Sequence, residues 1–137
     1  MPSDRQKPNS FEYKGQWSDN QRHGYGQCYY CNNDLYVGYW VKNKRHGFGD
    51  YFDKRGDRYI GYWVNDMFDG KGTYISENGS TYKGTFLKNK KHKKGTMTLK
   101  DGTVYDELWN HGILQMHEKR KSLDSGIKDI ENTQKLK

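Results

Sequence analysis

The sequence predicts an all-β fold: an elongated, single-layer antiparallel stack of β-hairpins, about nine strands long. Three observations predict it. An aromatic–glycine pattern recurs every 23 residues, its marked positions alternate with period two, and its copies are joined by three-residue loops ending in Gly or Asn.

The period is read from columns. Tyr13, Tyr36, Tyr59, Tyr82 and Tyr105 lie 23 residues apart. Two residues on stand Gly15, Gly38, Gly61 and Gly84, then Glu107; four residues on stand Trp17, Trp40, Trp63, Phe86 and Trp109. A second glycine column runs Gly24, Gly47, Gly70 and then Lys93, and a third runs Gly26, Gly49, Gly72 and Gly95. Tyr-x-Gly-x-Trp puts its marked residues on one face of a strand, because successive strand side chains point to opposite faces. The Gly-x-Gly segment continues that alternation into Cys28, Tyr51, Tyr74 and Met97. Each unit is therefore expected to be one hairpin.

The connections between units carry their own chemistry. Lys54-Arg55-Gly56, Glu77-Asn78-Gly79 and Lys100-Asp101-Gly102 match a type I turn closed by a left-handed residue. Cys31-Asn32-Asn33 fills the same place with Asn, the next-best residue at positive φ. A consistent face sets the expected register: Trp17 opposite Gly24, Gly15 opposite Gly26, Tyr13 opposite Cys28, Tyr51 with Tyr59 and Tyr74 with Tyr82. In copy four, Phe86 is expected to compensate sterically for Lys93. Strands 11–17 and 103–109 are expected to be the open edges.

Residues 1–10 carry no periodicity and read as a flexible lead; residues 11–115 hold four repeats and a half repeat; residues 116–137 form a basic tail. In that tail Leu123, Ile127 and Ile130 fall at helical spacing, so capping, docking or disorder are all open for it.

Only 31% of residues are hydrophobic and the mean hydropathy is −1.28, values that would suit disorder, but aromatics make up 15%, which argues against it. A core of rings laid over glycines is expected. No apolar run of membrane-spanning length and no signal peptide is present, so a cytoplasmic chain with reduced cysteines is expected. The net charge of +7 divides into +1 in residues 1–10, +4 in 11–115 and +2 in 116–137. The excess is thus spread, apart from a cluster at Lys88, Lys90, Lys91, Lys93 and Lys94. Such a balance permits anionic lipid, acidic protein or nucleic acid as partner.

The string from Tyr13 to Gly26 resembles the MORN-repeat motif, and Tyr36–Gly49 repeats it. Tyr59–Gly72 follows with Asp69 in place of His; Tyr82–Gly95 is looser, and Tyr105–Gly112 is a half copy. The resemblance implies an elongated sheet with a concave groove. It also implies a non-catalytic scaffold or membrane-proximal protein of the kind found in cilia, the cytoskeleton, membrane junctions and the regulatory extensions of lipid kinases, where dimers and extended assemblies are common.

Other motifs are explained by the repeat. Cys28-x-x-Cys31, with His23 and His46 nearby, offers metal-ligand types, yet Cys28 occupies a packing column and a lone C-x-x-C is half a site. Asp69-Gly70-Lys71-Gly72-Thr73 lacks the spacing of a phosphate loop, and Asn78-Gly79-Ser80 is a hairpin turn before it is a glycosylation sequon. Asp19, Asp53, Asp66 and Asp101 sit at turns, where Asp serves the backbone. No enzyme activity, cofactor or metal is expected.

The functional candidates are the groove aromatics and the basic residues Lys42, Lys44, Arg45, Lys88, Lys90, Lys91, Lys93 and Lys94. The lysines of copy four are expected at its hairpin turn, along one edge with those of copy two. Two functions follow as expectations. One is a structural component docking into a cytoskeletal or axonemal assembly through protein contacts, with a homodimer among the options. The other is a peripheral binder of anionic phospholipid through the lysine turns. Nucleic acid is the poorer partner, since the rings are committed to the stack.

Overall fold

A computed structural model describes residues 10–121. They form one antiparallel sheet of ten strands in sequential order. The strands are β1 (Ser10–Ser18), β2 (Gln21–Tyr30), β3 (Leu35–Val41), β4 (Lys44–Phe52) and β5 (Arg58–Val64), then β6 (Met67–Ile75), β7 (Thr81–Leu87), β8 (Lys90–Thr98), β9 (Val104–Asn110) and β10 (Ile113–Lys119). At about 4.8 Å per strand the stack is about 43 Å long. The strand count exceeds the expected nine because the half copy is completed by β10. That strand crosses the expected boundary at residue 115, and it makes β10, not 103–109, the C-terminal edge. The helical stripe at Leu123, Ile127 and Ile130 lies outside the described residues, as does the lead apart from Ser10.

Two kinds of turn alternate. Within each repeat, both central residues have positive φ: Asp19 and Asn20 (51° and 61°), Lys42 and Asn43 (48° and 68°), Asn65 and Asp66 (48° and 70°), Lys88 and Asn89 (48° and 70°). The last hairpin uses His111 and Gly112 (48° and 83°). Two consecutive left-handed residues make a type I′ turn, whose twist matches that of paired strands. Between repeats, Gly56, Gly79 and Gly102 take φ of 102°, 93° and 93°, and Asn33 takes 73°. These are the predicted bulged three-residue loops, closed by bonds such as Gly79 N–H to Ser76 O at 2.9 Å.

Most of the expected register is present: Gly15 faces Gly26, Tyr13 faces Cys28, Tyr51 faces Tyr59 and Tyr74 faces Tyr82. The Trp17–Gly24 pairing is not. A bulge follows Gly15, so Trp17 faces Arg22 and Gly24 faces Trp40 of the next repeat. The bulge needs a left-handed residue, supplied by Gly24, Gly47 and Gly70 with φ of 84°, 82° and 106°. Lys93 holds the same conformation at 66°. The expected compensation by Phe86 fails for the same reason: Lys93 pairs with Trp109, whereas Phe86 pairs with Gly70 and Lys91.

The core is one ring deep. Cys28, Tyr36, Trp40, Tyr59, Trp63, Tyr82 and Phe86 are buried on one face, termed here the repeat face. Edge-to-face contacts run from Tyr13–Trp17 (4.8 Å between centroids) through Tyr13–Trp40 (5.5 Å), Tyr36–Trp40 (5.0 Å) and Tyr36–Trp63 (5.3 Å). They continue through Tyr59–Trp63 (5.3 Å), Tyr59–Phe86 (5.3 Å) and Tyr82–Phe86 (5.8 Å). This geometry sets the positive edge of one ring against the negative face of the next. The tyrosine hydroxyls lie over cross-strand glycines and donate to backbone, Tyr36 to Tyr39 O at 2.8 Å and Tyr59 to Tyr62 O at 2.9 Å. A Cβ at Gly38, Gly49, Gly61 or Gly72 would collide with that ring or with the facing strand.

Candidate functional site

One column of the repeat face is not uniform, and the candidate site is built on it. Arg22, Arg45, Phe68 and Lys91 are equivalent positions, each the second residue after a type I′ turn. Arg22 stacks over Trp40, with its guanidinium carbon 4.6 Å from the ring centroid, and Arg45 stacks over Trp63 at 4.7 Å. Each is secured by the next turn. Asn43 Oδ1 accepts from Arg22 N–H at 2.8 Å and Asp66 Oδ1 from Arg45 N–H at 2.8 Å; Asn89 Oδ1 accepts from Phe68 N–H at 2.8 Å. Burial opposes the Arg45 charge, but Tyr30 and Asp66, the latter paired with its Nε at 3.0 Å, leave its pKa raised.

Phe68 breaks the cationic column. Its ring stacks on Tyr59 at 3.9 Å and meets Trp63 edge-on at 4.8 Å. Three surface depressions converge on it. One of about 270 Å³ is lined by Phe68, Tyr74, Tyr82, Phe86, Lys91 and Met97; a second, of about 260 Å³, by Arg45, Tyr51, Trp63, Asp66, Phe68 and Asn89. A third, of about 70 Å³, lies towards Asp57 and Tyr74. The result is an apolar centre with a paired arginine on one side and a lysine on the other. Lys91 Nζ sits 4.1 Å from the Tyr82 ring centroid and 4.7 Å from that of Trp109; burial lowers its pKa, with Glu107 opposing.

At the C-terminal end the ring order changes. Buried Glu107 replaces the repeat's glycine and accepts from Trp109 Nε1 at 3.0 Å, where Trp40 Nε1 instead donates to Gly26 O at 3.1 Å. Its other oxygen meets His117 Nδ1 at 2.7 Å. The Tyr82 hydroxyl, buried there, has no hydrogen-bond partner among the described residues.

The chemistry-bearing candidates separate. Cys28 is buried with Arg22 Nη1 3.8 Å from its sulfur, while Cys31 is exposed. Among the described residues, no group of three or more His, Cys, Asp or Glu is placed to hold a metal ion. The basic cluster does not sit in a turn as expected. Lys88 alone is in the turn; Lys90, Lys91, Lys93 and Lys94 belong to β8, because a type I′ turn takes two residues and Asn89 is the second. Lys42 is likewise a turn residue, with Lys44 and Arg45 on β4. Lys91 then faces the rings and Lys94 pairs with Leu108 on the opposite face. Sequence reasoning missed Phe68, whose signal was present as the odd member of an Arg, Arg, Phe, Lys column.

The four units 13–35, 36–58, 59–81 and 82–104 each match the model of the MORN repeat, and together they cover more than half of the chain. The chain belongs to the MORN-repeat family. No curated protein matches it. MORN repeats are typically non-catalytic, and a role as a scaffold for protein–protein interaction is generally consistent with them. The matched units end at residue 104, so β9 from Tyr105 onward and β10, with Glu107, lie beyond the fourth MORN copy.

Proposed function

We propose that the chain is a non-enzymatic scaffold that seats a partner protein on its repeat face, within a cytoskeletal or ciliary (axonemal) assembly. The observation that carries this is the convergence of three depressions on Phe68. A ring-lined centre between Arg45 and Lys91 suits an apolar anchor residue with acidic neighbours. The test is Phe68→Arg, which installs the residue that positions 22 and 45 already carry and so keeps the fold. Proximity labelling with wild type and variant is expected to recover a shared set of assembly proteins from the wild type and to lose it in the variant. An unchanged set, or a freely diffusing monomer in both, overturns the proposal. A homodimer would appear in native mass measurement of the same proteins.

A second reading is attachment to anionic phospholipid. It is favoured by Lys42, Lys44, Lys88 and Lys90, which stand at or beside the turns of one sheet edge. Each lysine near such a surface contributes about 1 kcal/mol, screened by salt. The interposed turn Asn65-Asp66 weakens it. Co-sedimentation with phosphatidylserine vesicles should then be present at low salt and vanish at high salt; no binding at low salt removes this reading.

A further inference from the structure

The face opposite the repeat rings carries a second pattern that the MORN motif does not require. Tyr25 pairs with Tyr39 and Phe48 with Tyr62, and in the next repeats the same register holds Lys71 with Thr85 and Lys94 with Leu108. These eight residues form one row across β2 to β9. Its first four rings are about half exposed, at 51%, 50%, 47% and 50%, and make edge contacts in pairs at 5.4 and 5.6 Å. Half-exposed rings in consecutive pairs are an uncovered apolar surface, which on a folded protein marks contact with another molecule. Beyond β5 the row turns basic. Lys71 and Lys94, with Lys83 in the adjacent row, are exposed and have no ion pair among the described residues, whereas nearby Asp106 is neutralised by Arg120. A depression of about 520 Å³ ends the row, lined by Leu108 and Met116 with Lys83 and Lys94 beside them; its two acids are already engaged, Asp106 by Arg120 and buried Glu107 by His117.

We propose that this face is a docking surface for an amphipathic helix of another protein, apolar where it crosses β2–β5 and glutamate-rich where it crosses β6–β9. The helical form follows from hydrogen bonding. Backbone donors and acceptors within a sheet are already paired, so a segment lying on the face must satisfy its own. The spacings are close, about 5.4 Å per helical turn and about 4.8 Å per strand, so about six turns cross the eight strands. Spanning eight strands, about 34 Å, takes roughly 22 helical residues. Charge complementarity selects acidic residues for the second half. The depression favours glutamate, whose methylenes cover Leu108 and Met116 while its carboxylate reaches Lys83 and Lys94. This surface is separate from the Phe68 centre, and the two proposals fail independently.

The test is selection of a phage library of helices of about 22 residues, randomised along one face, against the full chain. Enriched helices should carry an apolar half and an acidic half. Their affinity should fall about tenfold or more for Tyr39→Thr/Tyr62→Thr, and separately for Lys71→Glu/Lys94→Glu, and stay unchanged for Phe68→Arg. Unchanged circular dichroism and thermal midpoints establish that the variants fold. Three outcomes overturn the proposal: enriched helices of uniform composition, helices insensitive to both double variants, or helices lost only with Phe68→Arg. Failure of selection, together with phosphatidylserine vesicle binding abolished by the same double variants, also overturns it and assigns the face to a lipid surface.

Discussion

At the residue scale, glycine and aromatic positions act as pairs, and the cost of changing one is set by its partner. Trp40 is 2% exposed and sits between Tyr13, Tyr36 and Arg22. Trp40→Ala should cost about 3–5 kcal/mol in chemical denaturation. Trp109→Ala should cost less, since Trp109 is only partly buried and has a lysine as neighbour in place of a ring. Glycines divide in the same way. A Cβ on Gly49 would occupy the position of the Tyr36 ring and hydroxyl, and Tyr36 is fully buried, so Gly49→Ala should cost about 3 kcal/mol. Gly102 has nothing within 4 Å of its would-be Cβ but has φ of 93°, so Gly102→Ala should cost only the backbone strain, about 1 kcal/mol. Equal losses for the two glycines would contradict the ring-over-glycine core.

At the element scale, the type I′ turns join one repeat to the next as well as closing a hairpin. Asn43, Asp66 and Asn89 each donate a backbone N–H at 3.0 Å to the second strand of the preceding repeat (Arg22, Arg45 and Phe68) and accept the N–H of the same residue on Oδ1. Asn43→Ala would leave the backbone N–H and Nε of buried Arg22 without their acceptor, while Nη2 keeps the carbonyl of residue 43, at a cost of about 1–3 kcal/mol by urea denaturation. Asp66→Asn keeps the Oδ1 acceptor used at 43 and 89 and loses only a partly exposed ion pair, so its cost should stay below about 1 kcal/mol. The last element departs from this scheme. In β10, Met116 faces Leu108 and His117 faces Glu107, a slip that removes the Gly-to-Gly approach used elsewhere. A one-residue slip exchanges the faces of a strand, and here it turns His117 towards the rings, 4.0 Å from Tyr105.

At the scale of the whole molecule, the described residues form a single layer, so the stability of the array accumulates from neighbouring repeats. Its tyrosines make that stability sensitive to alkali. Burial pushes the pKa values of Tyr13, Tyr74 and Tyr82 up to about 12, and raises those of Tyr30, Tyr36, Tyr51 and Tyr59 further. Unfolded tyrosine ionises near pH 10, so between about pH 10 and 12 the folded state binds more protons than the unfolded state. Stability is therefore full below pH 10 and falls as pH rises through this window. Far-UV circular dichroism should be lost together with the appearance of phenolate absorbance from these rings. Ionisation of all twelve tyrosines near pH 10 with the sheet intact would refute the buried stack.

The sequence by itself determined the repeat length, the all-β class, the hairpin order and the three-residue loops, because each depends on local geometry: side-chain alternation and residues that tolerate positive φ. Gly15 opposite Gly26 and Tyr51 opposite Tyr59 were legible for the same reason. Only the tertiary structure decided where the bulge after Gly15 shifts Trp17 to Arg22, and that Lys90 to Lys94 are strand residues. It alone placed β10 as the edge and gathered three depressions around Phe68. These depend on how one repeat's turn locks onto its neighbour, an interaction between residues about 20 positions apart that no local pattern encodes.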